Sequence, residues 1–498
     1  MAACLRLLYL FVRYILDSGS TPRFQVESAA FLFVACGLAL ALIRKPQSHP
    51  ESTRLAKVPL WTWAVFCVLA VALYWPALSV GLLSDDFVLA KRAADWNFGP
   101  VSPTLFRPLP LFVWGVLLKT GAGASTLHLL NLILHGTNAY LSARVLERWV
   151  ADAKWAFVGG LLVLTAPIAI EAVAWSSGVF DLLATSLVLV CILIARQYDP
   201  HPRAATRLQF VAVGIAAVAS KETAAIAAGL ILVDAFVRRA ISRTLLVDTS
   251  ILIGIVGVFS VWRLASVQGF ATSPFGKYEM QSLLFGSFGS LATPWHVDVV
   301  HTRPWLPIAG VLLLVCLLTV FFVDSARKQE RRLAVAASVW VLLPIVPVWA
   351  TFFVAPDLQN SRYLYVSVVG WAALVVAVAS ASSERNYLNV LQRAAVVGLI
   401  AIASYGIRLH LEPWSEAAAR RDQIETAALK PEIVRCQVVT LGNLPETVRG
   451  AYVFRNGPSE AFARDLHRTA VIDNNAVGEC SFRWDDARSS FTQTGVLQ

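Results

Sequence analysis

Apolar runs long enough to cross a bilayer recur along this chain as far as residue 407, and nothing else in the sequence limits its fold as strongly. A run of about 17 to 25 mostly apolar residues spans the hydrocarbon core as a helix. The helix is favoured because lipid offers no partner to backbone N–H and C=O groups. Such runs fall at 60–81, 126–148, 155–175, 179–196, 207–220, 223–237, 244–263, 305–323, 333–353, 363–381 and 389–407. Upstream lie 28–43 and an Arg-containing stretch at 4–16. The latter lacks a small-residue cleavage site and is read as a retained helix, not a removed signal peptide. Of 498 residues, 57% are hydrophobic and 15% charged, and mean hydropathy is +0.62, which excludes an ordinary soluble protein. The expected fold class is an all-α polytopic membrane protein of about 11 to 13 transmembrane helices, with a small C-terminal extracytoplasmic α/β domain. Three parts are expected: N-terminal helices with a basic cytoplasmic linker at 1–58, a transmembrane module at 59–407, and a soluble domain at 408–498. No internal repeat of 20 to 50 residues and no low-complexity segment interrupts this plan.

The net charge of +10 does not indicate nucleic acid, because the basic residues sit in short loops between the spans. Arg44, Lys45, Arg54 and Lys57 form one group, and Arg144, Arg148 and Lys154 a second. Arg196, Arg203 and Arg207, then Arg238, Arg239 and Arg243, then Arg327, Lys328, Arg331 and Arg332 continue the series. By the positive-inside bias these loops are cytoplasmic. Alternation then turns every other loop outward, including the loop that opens on Asp85-Asp86, the 264–304 loop, the 355–362 loop and the tail.

Polar residues near span ends can now be sorted by side. Asp85, Asp86 and Arg107 lie in the first outer loop, and His128 and Asn131 begin the span that returns from it. Glu171 and Asp181 flank the next outer turn, Lys221 and Glu222 occupy the following one, and Arg362 sits at the outer edge of a later span. Ionisable groups at membrane depth are costly and usually line a cavity or pair with each other, so one polar site is the economical reading. Blander readings exist for each. Ser84-Asp85-Asp86 could simply cap a helix, Lys221-Glu222 could be an interfacial ion pair, and Arg362 with Tyr363 and Tyr365 an aromatic-belt anchor. Glu171, four residues after Pro167, could serve local packing. His128 and His135, on one helical face, suggest packing before zinc, and no firm metal-binding spacing occurs.

Taken in order, SDDF, FRPLPLFVW, LHLLNLILH, APIAIEAVAWSSGVFDLLA, SKETAA and SRYLYVSVVGW resemble the GT-C glycosyltransferases. The likeness is greatest to the transmembrane and tetratricopeptide-repeat O-mannosyltransferases and their shorter bacterial relatives, over about residues 60 to 381. The resemblance implies a polytopic enzyme that moves a sugar from a polyprenyl- or dolichyl-phosphate carrier to a glycan, lipid or protein acceptor on the extracytoplasmic face. A bacterial inner membrane, with the site and tail facing the periplasm, is the setting it suggests. Asp85 and Asp86 match the family's first-loop acidic motif, Arg107 the Arg of its RPL segment and Glu171 the Glu of its EAV segment. Lys221 and Glu222 match its KE pair, and Arg362 the Arg of its RYLY segment. Repeat-containing relatives usually read Gly-Arg-Ala-Asp where this chain has Gly178, Val179, Phe180 and Asp181. The repeats are absent too, so mannose and a protein acceptor are not carried over.

The chemistry suits these residues. A lipid phosphate at the interface calls for cations, and Arg107, Arg362 and Lys221 are the candidates, arginine's planar fork matching two phosphate oxygens. One carboxylate suffices as general base for the acceptor hydroxyl. Neighbouring residues on a helix point about 100° apart, so Asp85 and Asp86 cannot share that role. Asp86 is slightly favoured as the site residue, and a single displacement would invert the anomeric centre. His128, Asn131, Glu171, Asp181 and Glu222 are expected to line the site. No metal ligand set is assigned, although two carboxylates could hold Mg²⁺ or Mn²⁺ through water. In the tail, CQVVTL, GAYVFR and GECSFRWD have strand character and PSEAFARDLHRT is helical. Cys436 and Cys480 are the cysteines in this exported part, where an oxidising compartment favours a disulfide. Cys4, Cys36, Cys67, Cys191 and Cys316 are small hydrophobes in apolar segments. The competing class is a transporter or flippase of a lipid-linked sugar, which should show pseudo-symmetry or helices broken at the midplane.

Overall fold

A computed structural model describes residues 58–100, 106–198, 202–266, 280–323, 328–348, 352–381, 385–466, 469–475 and 480–494. The apolar stretches 4–16 and 28–43, Cys4 and Cys36, and the basic residues Arg44, Lys45, Arg54, Lys57 and Arg327 lie outside the described residues. Each apolar run between 60 and 407 falls mainly on helix among the described residues. Among the described residues, Trp61–Ser79, Ser176–Ala195, Ser361–Ala379 and Asn386–Ala428 are each long and apolar enough to cross a membrane. The protein is a polytopic, mostly helical integral membrane protein with a small C-terminal α/β domain.

One expected span is broken, and the break helps to build the site. The run at 155–175 is not one rod: Ala153–Leu164 and Pro167–Ala174 meet at 46°. Pro167 has no N–H to continue the ladder, and the helix stops ahead of it. The Leu164 carbonyl thereby becomes available, and His135 Nε2, at 3.0 Å, and the Tyr74 hydroxyl, at 3.3 Å, reach it. His135 Nδ1 accepts from the Tyr365 hydroxyl at 2.7 Å, and Asn138 Nδ2 lies 3.2 Å from the same oxygen. Both ring nitrogens of His135 are thus used in helix packing, and the zinc alternative has no ligand there. Buried polar pairs of this kind hold helices together where lipid supplies no hydrophobic drive.

The two ends of the helices carry different chemistry. Helix Ala124–Val150 begins with His128 and Asn131 and ends near Trp149, about 30 Å further on at 1.5 Å per residue. At that far end Asp234, almost fully buried, accepts from Trp149 Nε1 at 2.9 Å and is bridged by Arg196 and Arg238. The basic loops and the Asp85 loop therefore sit about one hydrocarbon thickness apart.

Helix Asn386–Ala428 is 43 residues long, about 65 Å, and runs straight through the 407/408 boundary that composition suggested. Its outer half carries the tail. Arg421 on this half donates to the Val80 and Leu82 carbonyls at 2.9 and 2.7 Å. Gly81, at φ +71°, leaves room for that guanidinium, which lies 2.5 Å from where a Cβ would stand. The sheet that follows has order β4-β1-β5-β6. Its strands are β1 (Val438–Gly442), β4 (Thr469–Ile472), β5 (Ser481–Asp485) and β6 (Ser490–Gln493), with β4 and β5 parallel to β1 and β6 antiparallel to β5. A hairpin of β2 (Thr447–Val448) and β3 (Ala451–Tyr452) leaves this sheet and meets the membrane module. Only two residues of GAYVFR are strand; β4 and β6 were not anticipated. A disulfide joins Cys436 and Cys480.

Candidate active site

The helix Asp85–Ala94 starts from Ser84, whose backbone is left-handed at φ 52°. Two acids in its first turn favour the positive end of the helix dipole. Ser84 does not cap it. Its hydroxyl accepts instead from Asn456 N at 3.2 Å, and its own N–H donates to the Val453 carbonyl at 2.9 Å. Both partners belong to the C-terminal domain.

The two acids have opposite environments, and the slight preference for Asp86 is not supported. Asp86 is fully buried. One oxygen accepts from Leu83 N at 3.0 Å; the other accepts from Ser177 N at 2.8 Å and from the Ser177 hydroxyl. Its carboxylate fastens the first outer loop to the second outer turn, with both oxygens engaged inside the protein. Asp85, one residue and about 100° further round, is part-exposed and takes no hydrogen bond among the described residues. Burial outweighs those donors and pushes the Asp86 carboxyl up to about 7.

That shift has a measurable sign. Between the ordinary carboxylate range and about pH 7 the folded state binds more protons than the unfolded one, so stability falls as pH rises through this window. The full change is on the order of 4 kcal/mol. Melting temperature in detergent is expected to drop between pH 4 and pH 7.5, and Asp86→Asn should remove Asp86's share of that slope. Parallel curves for the two proteins would contradict it.

The second outer turn, Trp175 to Gly178, is clasped from below. Trp175 Nε1 donates to the Leu83 carbonyl at 3.1 Å, and Asn131 Nδ2 donates to the Trp175 and Ser176 carbonyls at 2.8 and 3.2 Å. His128 Nε2 lies 2.8 Å from the Gly81 carbonyl and 2.9 Å from the Ser176 hydroxyl. His128 and Asn131 are fully buried, so they tie the two outer loops together and line no open surface. Gly178 is required here because a Cβ would overlap the Ala172 carbonyl.

Above this clasp three cations meet three acids. Arg107 grips Glu222 with two hydrogen bonds, 2.9 and 2.5 Å. Lys221 Nζ lies 2.5 Å from Asp181 and is almost fully buried. Lys221 and Glu222 therefore do not form the simple interfacial pair with each other; each is matched to another piece of chain. Arg362 is held differently. Its backbone N–H donates to Glu171 Oε2 at 3.0 Å, and its Nε lies 3.6 Å from Oε1, beyond hydrogen-bond range. The guanidinium lies over Trp175, 4.6 Å from the ring centre, and 5.7 Å from that of Tyr363. Its terminal nitrogens donate no hydrogen bond among the described residues. Tyr363 also lies 5.3 Å from Lys221 Nζ, and Lys221 feels the fields of Arg107, Arg362 and Glu222 as well as Asp181. The charged groups drawn from distant stretches thus form one cluster, next to the turn that binds Asp86.

Trp175, Ser177 and Tyr452 belong to this arrangement and were not singled out from sequence, and Tyr363 was read only as a membrane-interface anchor. Trp175 and Ser177 lie inside a quoted motif near Glu171 and Asp181, which is the signal that was available. For Tyr452 there was none.

Both Asp86 oxygens already accept donors from the protein. Among the described residues no group of three or more His, Cys, Asp or Glu side chains is placed to hold a metal.

No protein-family profile matches the chain, and no curated protein matches its sequence. Among solved structures, the chain is similar to ArnT from Cupriavidus metallidurans bound to undecaprenyl phosphate, at 14% identity and a TM-score of 0.45 over 85% of this chain and 87% of that one. It is also similar to the archaeal oligosaccharyltransferase AglB from Archaeoglobus fulgidus, in complex with an inhibitory peptide and a dolichol-phosphate. There identity is 12% and the TM-score 0.46, over 83% of this chain and 64% of that one.

Proposed function

We propose that this chain is a GT-C-type glycosyltransferase that moves a sugar from a polyprenyl-phosphate carrier to an acceptor hydroxyl on the extracytoplasmic face, with inversion. The observation that carries the reading is the contrast between Arg362 and its neighbours. Arg107 and Lys221 are each matched to an acid, whereas Arg362 is oriented by Glu171 and Trp175 and its terminal nitrogens donate no hydrogen bond among the described residues. A planar fork held in place with free donors suits a phosphate. We assign the donor phosphate to Arg362, with Lys221 and Arg107 supplying field from behind.

Asp85 is the general base. It takes the proton of the acceptor hydroxyl as that oxygen attacks the anomeric carbon. The bond from that carbon to the phosphate oxygen breaks on the opposite side, and polyprenyl phosphate leaves with the electron pair. One displacement inverts the centre. Glu171, Asp181 and Glu222 keep the cations in register, and Asp86, His128 and Asn131 hold the loops that carry them. The isoprenoid tail lies along the lipid-facing helices while its phosphate meets the charged cluster. With the basic loops cytoplasmic, this cluster faces the periplasm of a bacterial inner membrane.

The test supplies membranes containing this chain with a radiolabelled polyprenyl-phosphate sugar. A new glycosidic bond of inverted anomeric configuration is the expected product. Movement of the lipid between leaflets without any new bond would establish a flippase and overturn the assignment. Mass spectrometry of surface glycans from cells with and without the chain then identifies sugar and acceptor.

A further inference from the structure

Tyr452, in the C-terminal domain, touches both groups that orient Arg362. Its hydroxyl donates to Glu171 Oε1 at 3.0 Å, and its ring lies 4.7 Å from the ring of Trp175, centre to centre. Glu171 Oε1 is the oxygen facing Arg362 Nε, and Trp175 is the platform beneath the guanidinium. Tyr452 is itself only 2% exposed and is backed by Trp414 of the long outer helix, 6.2 Å away. The next residue, Val453, accepts the Ser84 N–H, and Asn456 donates to the Ser84 hydroxyl. A five-residue segment of the exported domain thus reaches the Glu171–Arg362 pair at one end and the residue preceding Asp85 at the other.

We propose that Tyr452 is a positioning residue for donor binding: it fixes Glu171 and Trp175, and through them the Arg362 fork, so that the soluble domain is an integral part of the transferase site. The inference rests on the proposed transfer from a lipid-linked phosphate. A carboxylate with one oxygen bound by the Arg362 backbone has its second free to swing. The Tyr452 hydroxyl stops that rotation, and the opposing acid then presents one fixed oxygen to the guanidinium. A hydrogen bond to a charged group is among the stronger ones a protein makes. Removing it loosens Arg362 without removing any charge.

Tyr452→Phe keeps the ring and loses the hydroxyl. With a radiolabelled polyprenyl-phosphate sugar, KM for the donor should rise about tenfold with kcat within about twofold. Affinity of the purified protein for undecaprenyl phosphate in detergent should weaken in parallel, while affinity for undecaprenol, which has no phosphate, stays unchanged. Coupling is the decisive measurement. In an Arg362→Lys background the same change should add less than twofold, because Tyr452 acts through the fork that Lys lacks. A merely structural tyrosine would add its full effect there and lower binding of both lipids alike. Any of these results, or unaltered donor KM in Tyr452→Phe, overturns the proposal. If wild-type protein transfers no sugar yet Tyr452→Phe weakens undecaprenyl phosphate binding as described, the transferase reading fails while the positioning role stands.

Discussion

Asp85→Asn protein is expected to accumulate, insert and melt like wild type while transferring sugar about 10²- to 10⁴-fold more slowly, the range typical for loss of a general base. The reasoning is local. Asp85 is part-exposed and takes no hydrogen bond among the described residues, so the neutral amide breaks no internal contact. What is lost is the only carboxylate of the pair free to accept a proton from an acceptor hydroxyl. Asp86→Asn should behave in the opposite way. Its two oxygens take donors from Leu83 and Ser177, and an amide can accept with only one of them while aiming N–H groups at another donor. Leaving a buried donor unsatisfied costs about 1–3 kcal/mol, and the two outer loops lose their fastener. Reduced yield, lowered melting temperature and residual turnover per folded molecule are expected for Asp86→Asn. Measuring turnover against folded protein, by active-site-independent quantification in detergent, separates the two cases. Full activity in Asp85→Asn would remove the base from this scheme.

How much could be read in advance follows from what each feature depends on. The helices were legible because bilayer thickness and backbone satisfaction act on local sequence, and the apolar runs report both. The break at Pro167 was visible as a residue, yet its consequence was not. The liberated Leu164 carbonyl is taken up by His135 and Tyr74, which lie elsewhere in the sequence. The gathering of charges on one face followed from alternation of loops. Their pairing did not, because Lys221 and Glu222, adjacent in sequence, turn to Asp181 and Arg107. Adjacent acids had to differ, since helix geometry separates them by about 100°. Which one faces outward was decided by Ser177, 91 residues away. Tyr452 lay furthest from reach, its partner Glu171 being separated by 281 residues and joined only through docking of the hairpin. The long outer helix makes that docking possible, and composition hid it by changing character at residue 408 without ending the helix.

Arg362→Lys should lower kcat/KM for the lipid-linked donor by roughly 10- to 150-fold, the equivalent of one charge-assisted hydrogen bond of about 1.5–3 kcal/mol. Lysine retains the positive charge opposite Glu171, so the buried acid keeps a counter-ion and the fold should survive. It cannot reproduce a planar fork with two parallel donors, nor the flat contact over Trp175, and it presents the phosphate with a single point of charge. Arg362→Gln is harsher. Glu171 is 1% exposed, and removing the partner of a buried charge costs about 3–5 kcal/mol, so this variant should lose folded protein as well as activity. The double change Glu171→Gln with Arg362→Gln tests that division: it removes the uncompensated charge and should recover much of the yield, while transfer remains as low as in Arg362→Gln. Recovery of transfer along with yield would mean that Arg362 matters only as a counter-ion, and the donor phosphate would have to be held by Lys221 or Arg107 after breaking from Asp181 or Glu222. The order of the three cations is therefore set by experiment in a single series: Arg362→Lys raising donor KM most, with Lys221 and Arg107 variants acting chiefly through stability because each is already matched to an acid.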